Sequence, residues 1–186
     1  MKVNYQNLDP ALLIEACKEG DSKAQLEIYK RYYKSMYNVS LRILNNTAEA
    51  EDVMQESFLS AFQRLETFRG EVSFGAWLKK IVVNRSLDVL KVRKTLISID
   101  SAQEIEDETA PEENFRQGEL SIEKINKAIQ ELPEGYRIVL TLYLIEGYDH
   151  DEISQILGIS NATSRTQYHR AKKQLATRLK ELKAVS

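Results

Sequence analysis

The sequence predicts an all-α protein with two small helical domains joined by a flexible acidic linker. Three observations predict this fold class. Apolar residues recur every three or four positions in the N-terminal and C-terminal parts of the 186-residue chain, as in amphipathic helices. Asp, Ser and Thr residues precede these stretches, where they can cap helix N-termini. A strongly acidic segment without regular periodicity separates the two parts.

Charge is distributed unevenly along the chain. Residues 1–94 carry 15 basic and 12 acidic side chains, residues 95–123 carry 1 and 9, and residues 124–186 carry 10 and 7. The acidic middle segment has no sustained helical or strand period, which is typical of a linker. We therefore expect domains at 1–94 and 120–186, with the acidic linker over 95–119.

The composition argues against several classes of protein. With 42% hydrophobic residues, 3 Pro and 7 Gly, the chain is neither collagen-like nor wholly disordered. A single Cys and two His exclude an intramolecular disulfide and disfavour a zinc site. The longest apolar stretch, around 138–145, is well short of the roughly 20 residues of a spanning helix, and the N-terminus has no signal-peptide pattern. We expect a soluble, cytoplasmic protein without a metal or other cofactor.

Four helices are predicted in the N-terminal domain. Each has a candidate N-cap before its first turn: Asp9, Asp21, Thr47 and Ser73. The third helix has an apolar stripe with three- and four-residue spacing, which we expect in the core. The stripe comprises Ala50, Val53, Met54, Phe58, Ala61, Phe62 and Leu65.

The opposite face of the third helix is polar but contains one apolar residue, Leu59. It also presents Asp52, Gln55 and Glu56. Periodicity alone leaves two interpretations open, a solvated face or a docking surface.

The fourth helix combines basic residues with aromatic ones. Residues 79–94 contain 6 basic side chains and 1 acidic one, and Phe68, Phe74 and Trp77 lie close by in sequence. Cations that follow phosphates and aromatic rings that stack on unpaired bases are typical of single-stranded nucleic-acid binding. The alternative is that Phe74 and Trp77 belong to the core and the lysines only solvate the surface.

The C-terminal domain has the spacing of a helix-turn-helix. Helices are predicted at 120–132 and 136–145, with Pro133 and Gly135 ending the first. Asp149 and Glu152 then form a capping box, Gly158 provides the turn, and Ser160 caps the last helix. His150 is expected to be a surface residue of the first turn.

The last helix should present an inner and an outer face. The inner face is predicted to contain Ser164, Tyr168, Ala171 and Leu175. Residues 159–186 hold 7 basic side chains and 1 acidic one, which suits a helix that enters the major groove of DNA. The alternative is an ordinary helical hairpin with a basic tail.

Three segments resemble the small two-domain sigma factors of bacterial RNA polymerase, the extracytoplasmic-function (ECF) group of the sigma-70 family. They are residues 50–58, residues 68–85, and residues 132–175 with the helix-turn-helix. Their order across an acidic linker covers nearly the whole chain. The resemblance implies a region 2 four-helix domain at 1–94 and a region 4 helix-turn-helix domain at 120–186.

The resemblance also implies three sets of binding residues. The docking set would contact the clamp helices of the polymerase's largest subunit: Asp52, Gln55, Glu56 and Leu59. The minus-ten set would capture an unpaired nontemplate base and hold the adjoining duplex: Phe68, Arg69, Gly70, Ser73, Phe74, Trp77, Lys80, Asn84, Arg85, Asp88 and Lys91. The minus-thirty-five set would face the major groove: Thr163, Arg165, Thr166, His169, Arg170 and Lys173.

The sequence departs from the family's pattern on the inner face of the last helix. Ser164 and Tyr168 stand where Val and Leu are usual, and Gln167 replaces a frequent basic residue. These differences bear on the tilt of the helix and hence on its base contacts.

The implied function is that of a transcription initiation factor. It would bind core RNA polymerase, direct it to specific promoters and help to melt the minus-ten element, without a cofactor or small-molecule substrate. Its partners would be core polymerase and promoter DNA, duplex and single-stranded, and an anti-sigma factor is a further candidate. The alternative is a helix-turn-helix regulator that acts without joining polymerase. An enzyme is disfavoured, because the sequence contains no phosphate-binding glycine loop, nucleophile elbow or metal-ligand cluster.

Overall fold

The computed structural model describes residues 4–97 and 121–184. The chain divides into two compact units, residues 1–91 and 92–186. The described residues are helical and contain no strand. The acidic linker expected over 95–119 falls almost entirely outside the described residues.

Four helices form the first unit, and the last of them continues past its boundary. They are α1 (Pro10–Lys18), α2 (Ser22–Leu44), α3 (Thr47–Gln63) and α4 (Phe74–Ile97), with short 3-10 turns at Tyr5–Asn7 and Leu65–Thr67.

Side-chain caps fix where these helices begin. Asp9 and Asp21 cap α1 and α2, each accepting hydrogen bonds from backbone N–H groups of the first turn. Ser73 Oγ accepts from the N–H of Ala76 at 3.2 Å and caps α4. The predicted N-cap of α3 was wrong by one residue, because Asn46 caps that helix and Thr47 is its first residue. Asn and Thr are both good N-caps, so adjacent candidates cannot be separated by residue type.

The core of the first unit lies between α2, α3 and α4. Six of the seven stripe residues predicted for α3 are buried, and the seventh, Phe62, is half-buried with its ring 6.1 Å from that of Phe58. In α4, apolar spacing predicts Phe74, Leu78, Ile81 and Val82 on the buried face; Phe74, Leu78 and Val82 are buried, whereas Ile81 is half-buried and lines a cavity. Burying side chains of this size contributes about 1.5–3 kcal/mol each, so this apolar seam holds the outward faces of α3 and α4 in place.

An arginine attaches the N-terminal turn to α2. Arg31 Nη2 donates to the carbonyl oxygens of Tyr5, Gln6 and Leu8 at 2.9, 3.1 and 3.2 Å. The Tyr5 hydroxyl donates to Asp21, which also caps α2. Because an arginine has several donors in a fixed fork, one side chain can satisfy several carbonyl groups of a turn.

Four further helices lie in the described part of the second unit. They are α5 (Ile122–Gln130), α6 (Glu134–Leu140), α7 (His150–Leu157) and α8 (Asn161–Ala184), with a π-helical turn at Thr141–Ile145 after α6. The predicted start of α6 at residue 136 was wrong. Pro133 occupies the N-cap of α6, so Gly135 lies inside its first turn and is not a stop signal.

The helix-turn-helix forms as the capping residues predict. Asp149 and Glu152 make a reciprocal capping box at the start of α7, and Gly158 ends α7 with a φ of 67°. This left-handed conformation is easy for glycine and costly for other residues. Ser160 Oγ accepts from the N–H of Thr163 at 3.0 Å and starts α8.

Buried residues of α5, α6 and the turn between them hold α8 in the second unit. Ile129, Leu132, Leu140 and Ala171 form the centre of a cluster on which Ile125, Tyr136 and Leu175 pack. The predicted inner face of α8 is therefore confirmed at Ala171 and Leu175. Among the described helices, none combines the length and apolar character that crossing a bilayer requires.

Candidate nucleic-acid and polymerase interfaces

The docking set lies together on the outward face of α3. All four of its members, Asp52, Gln55, Glu56 and Leu59, are exposed. The Leu59 side chain is 62% exposed, although the opposite face of the same helix is the core of the unit. A leucine this exposed among polar groups is a natural site for protein contact, but a single one is also common on ordinary surfaces.

One face of α4 forms an open cavity of about 340 Å³. Five members of the minus-ten set line it: Trp77, Lys80, Asn84, Arg85 and Asp88. Its wall is completed by Arg64, Thr67 and Ile81. The cavity therefore combines an aromatic ring, cationic groups and an amide. These are the groups that stack on a base, follow phosphates and hydrogen-bond a base edge.

Three aromatic rings support this face. Phe68, Phe74 and Trp77 lie with ring centroids 5.4–5.6 Å apart. Phe74 is only 4% exposed, while Phe68 and Trp77 are half-buried. The two interpretations of the sequence thus apply to different residues, since Phe74 is core and Phe68 and Trp77 retain surface that a base could contact.

A second cavity, of about 310 Å³, lies where the loop between residues 68 and 73 meets α1. Gly70 in this loop has a φ of 75°, a conformation that glycine adopts readily. Glu15 and Lys18 of α1 also line the cavity and form an ion pair at 2.8 Å. These two residues could not be assigned to the site from the sequence, because nothing in their local pattern indicates a neighbour some fifty residues away.

An ion pair joins the docking set to the minus-ten set. Arg85 Nη2 and Nε lie 2.6 and 2.7 Å from Glu56 Oε2. The two side chains are 40% and 55% exposed, so the pair contributes about 0.2–1 kcal/mol in water. This contact fixes α3 against α4 at the boundary between the two faces.

The minus-thirty-five set lies along α8. Thr163, Arg165, Thr166 and His169 are exposed, and Arg170 and Lys173 are half-buried. Arg165 Nε donates to Asn161 Oδ1 at 2.7 Å, and Asn161 in turn donates to Asp151 of α7 at 2.6 Å. The first turn of α8 therefore presents an oriented guanidinium beside the hydroxyl groups of two threonines.

The interior of the helix-turn-helix is more polar than an ordinary core. His150 lies in the first turn of α7 as predicted, but it is half-buried: its ring stacks on Tyr143 and its Nδ1 lies 2.9 Å from Ser164 Oγ. Ser164 is fully buried. Tyr168 is half-buried, and burial, followed by the neighbouring Tyr143, raises its pKa.

Metal and thiol chemistry find little support in the described residues. No group of three or more His, Cys, Asp or Glu side chains there could hold a metal ion. Cys17 is buried. Burial, followed by the charge of Asp21, raises the pKa of this thiol to about 11, so it is protonated and unreactive near neutral pH.

Comparisons with known proteins identify both units. The sigma-70 region 2 family matches residues 28–95, and the sigma-70 region 4 family matches residues 122–175. The ECF RNA polymerase sigma factor SigW of Bacillus subtilis is 31% identical over 180 residues, which cover 91% of this chain and 96% of SigW. The RNA polymerase sigma-H factor of Pseudomonas aeruginosa is 28% identical over 181 residues, covering 91% of this chain and 93% of that protein.

A solved structure supports the fold. The sigma factor RpoE, crystallised with the anti-sigma factor NepR from Bartonella quintana, aligns with a TM-score of 0.55 and 19% identity. The alignment covers 83% of this chain and 95% of RpoE. The chain belongs to the ECF RNA polymerase sigma factors.

Proposed function

We propose that this chain is a transcription initiation factor that binds core RNA polymerase, directs it to specific promoters and helps to melt the minus-ten element. The observation that carries the proposal is the cavity on α4. It brings Trp77, Lys80, Asn84 and Arg85 together on one face. Membership of the ECF sigma factors supports promoter DNA as the ligand of that face and core polymerase as the partner of the chain.

The outward face of α3 supplies the contact with polymerase. Asp52, Gln55 and Glu56 offer hydrogen-bond and charge partners around Leu59, whose side chain is 62% exposed. Interfaces commonly consist of an apolar centre with a polar rim. The clamp helices of the polymerase's largest subunit are the proposed partner of this face.

The α4 face and the adjacent loop capture the opened strand. Opening base pairs costs a few kcal/mol of stacking. Stacking of one unpaired base on an aromatic side chain contributes about 1–3 kcal/mol of binding free energy. Trp77 and Phe68 are half-buried and retain surface for such contacts, whereas Phe74 is buried and packs against both of their rings. Lys80, Arg85 and Lys91 hold the backbone, so the open state is stabilised by binding and not by covalent chemistry.

Helix α8 reads the upstream element. Its 24 residues span about 36 Å at roughly 1.5 Å per residue, and an α-helix fits the major groove. The N-terminal turn carries Thr163, Arg165 and Thr166 on its exposed side. Arg165 can make a bidentate contact to guanine, which contributes about 1–3 kcal/mol of discrimination against other bases.

The remaining properties follow from this function. The chain acts in the cytoplasm, where polymerase and promoter DNA are found, without a cofactor and without catalysing a reaction itself. An anti-sigma factor is the proposed regulator, in keeping with the complex known for the structurally similar RpoE.

The proposal is tested by measuring DNA binding with and without core polymerase. The purified chain should shift duplex promoter DNA weakly by itself and strongly after reconstitution with core polymerase. The reconstituted complex should then give run-off transcripts from discrete start sites in a genomic fragment library. Tight operator binding by the chain alone, with no association with polymerase, would show instead an independent DNA-binding regulator.

A further inference from the structure

A cluster of four side chains lies at the contact between α7 and α8, with Ser164 buried, His150 and Tyr168 half-buried and Tyr143 exposed. The rings of Tyr143 and His150 stack with centroids 4.4 Å apart and an interplanar angle of 18°. The ring of Tyr168 lies 4.4 Å from Tyr143 and 5.7 Å from His150. His150 Nδ1 lies 2.9 Å from Ser164 Oγ. The cluster thus joins the π-helical turn, α7 and α8.

His150 is the member that contacts all the others. It is the first residue of α7, which the Asp149 capping box fixes in place. Ser164 and Tyr168 are one helical turn apart on the inner face of α8. The His150 ring at the start of α7 therefore contacts α8 at two points: it hydrogen-bonds to Ser164 and makes an edge-on aromatic contact with Tyr168.

The hydrogen bond is the directional part of this arrangement. Ser164 is fully buried, and a buried hydroxyl without a partner is unfavourable. Since a hydroxyl group can donate or accept, Ser164 forms the bond with either imidazole tautomer. The bond requires a narrow range of distance and angle, so it restricts the rotation of α8 about its own axis in addition to the packing contacts.

We propose that His150 is a positioning residue that sets the orientation of α8 on its DNA site. Ser164 lies directly between Thr163 and Arg165 in sequence, so its hydrogen bond to His150 fixes the direction in which these two side chains leave the helix. This inference rests on the proposed function, because it assigns α8 to the upstream element.

Two substitutions separate the ring from the hydrogen bond. His150→Phe keeps an aromatic ring beside Tyr143 but cannot bond to Ser164. His150→Asn places an amide atom at the same number of bonds from Cα as Nδ1, and so restores a hydrogen-bonding group. Thr177→Ala is the matched control on α8, since its exposed hydroxyl bonds only locally to the carbonyl oxygen of Lys173.

The measurement is a ratio of transcription rates by holoenzyme reconstituted with core polymerase. A promoter selected by the wild-type chain is compared with the same promoter carrying a scrambled upstream element. Loss of folded protein lowers both rates equally and leaves the ratio unchanged. Misorientation of α8 lowers only the rate on the intact promoter.

We expect His150→Phe to lower this ratio about tenfold, equivalent to about 1.4 kcal/mol. His150→Asn should recover most of the ratio, and Thr177→Ala should leave it unchanged. If His150→Phe proves too unstable to transcribe either template, Ser164→Ala is added to it. This second substitution removes the buried Ser164 hydroxyl that His150→Phe leaves without its hydrogen-bond partner. That double variant should again show the reduced ratio.

Three outcomes would contradict the account. A wild-type ratio close to one would mean that α8 does not read an upstream element, and the proposed function of this helix would fail. A large wild-type ratio that His150→Phe, alone or with Ser164→Ala, leaves unchanged would overturn the role of His150 alone. So would a His150→Asn ratio no better than that of His150→Phe.

Discussion

Truncation of Leu59 should weaken polymerase binding without destabilising the chain. Its side chain is 62% exposed in the free protein, so most of its apolar surface remains to be buried in a complex. Full burial of a leucine is worth about 1.5–3 kcal/mol. The exposed fraction therefore corresponds to about 0.9–1.9 kcal/mol, or about a fivefold to twentyfold loss of affinity for Leu59→Ala.

The chain offers a control of nearly the same exposure. Leu12 on α1 is 60% exposed and belongs to none of the three binding sets. Leu12→Ala makes the same chemical change on another helix surface. Each variant would compete with labelled wild-type chain for core polymerase, and thermal unfolding would verify that the variant is folded.

The comparison between the two variants decides the outcome. We expect Leu59→Ala to compete about fivefold to twentyfold less well than wild type, with Leu12→Ala indistinguishable from wild type. Equal competition by Leu59→Ala and wild type would refute α3 as the docking face. Equal losses for both leucine variants would show that the effect is not specific to α3.

Three further predictions concern the other sites. Arg165→Ala should lower run-off transcription about fivefold to a hundredfold, because one bidentate base contact is lost. Polymerase binding should stay at the wild-type level. Normal transcription by this variant would contradict the assignment of Arg165 to the minus-thirty-five set. A double-mutant cycle of Glu56→Ala and Arg85→Ala, measured by urea unfolding, should give a coupling free energy of about 0.2–1 kcal/mol that decreases at high salt. A coupling free energy that does not depend on salt would contradict an exposed ion pair. Cys17 in the native chain should react with iodoacetamide near neutral pH far more slowly than Cys17 in the urea-unfolded chain. The reason is that its raised pKa keeps the thiol protonated and that the thiol is buried. Equal rates in the two states would contradict a buried, protonated thiol.

The helices could be predicted from the sequence because their determinants are local. Asp9, Asp21 and Ser73 cap the helices that they were expected to cap, and the spacing of apolar residues identified the buried face of α3. The errors occur where two residues compete for one role. Asn46 and Thr47 are adjacent capping candidates, and the Pro133–Gly135 segment is equally consistent with the end of one helix and the start of the next.

The contacts between elements could not be predicted in the same way. Periodicity indicates which face of a helix is buried, but not which residue of another helix lies opposite. The pairing of Glu56 with Arg85 and the approach of Glu15 to the loop around Gly70 depend on the relative placement of helices. The bond between His150 and Ser164 depends on the geometry of the turn that separates them.

The most direct test of the account is whether this chain opens promoter DNA when it is bound to polymerase. Permanganate reactivity of thymines would be measured on a selected promoter with core polymerase alone, the chain alone, and both together. We predict reactive thymines confined to the minus-ten region only in the complete mixture, with the signal lost on Trp77→Ala. Reactivity that is the same without the chain, or unaffected by removing the Trp77 ring, would contradict strand capture on α4.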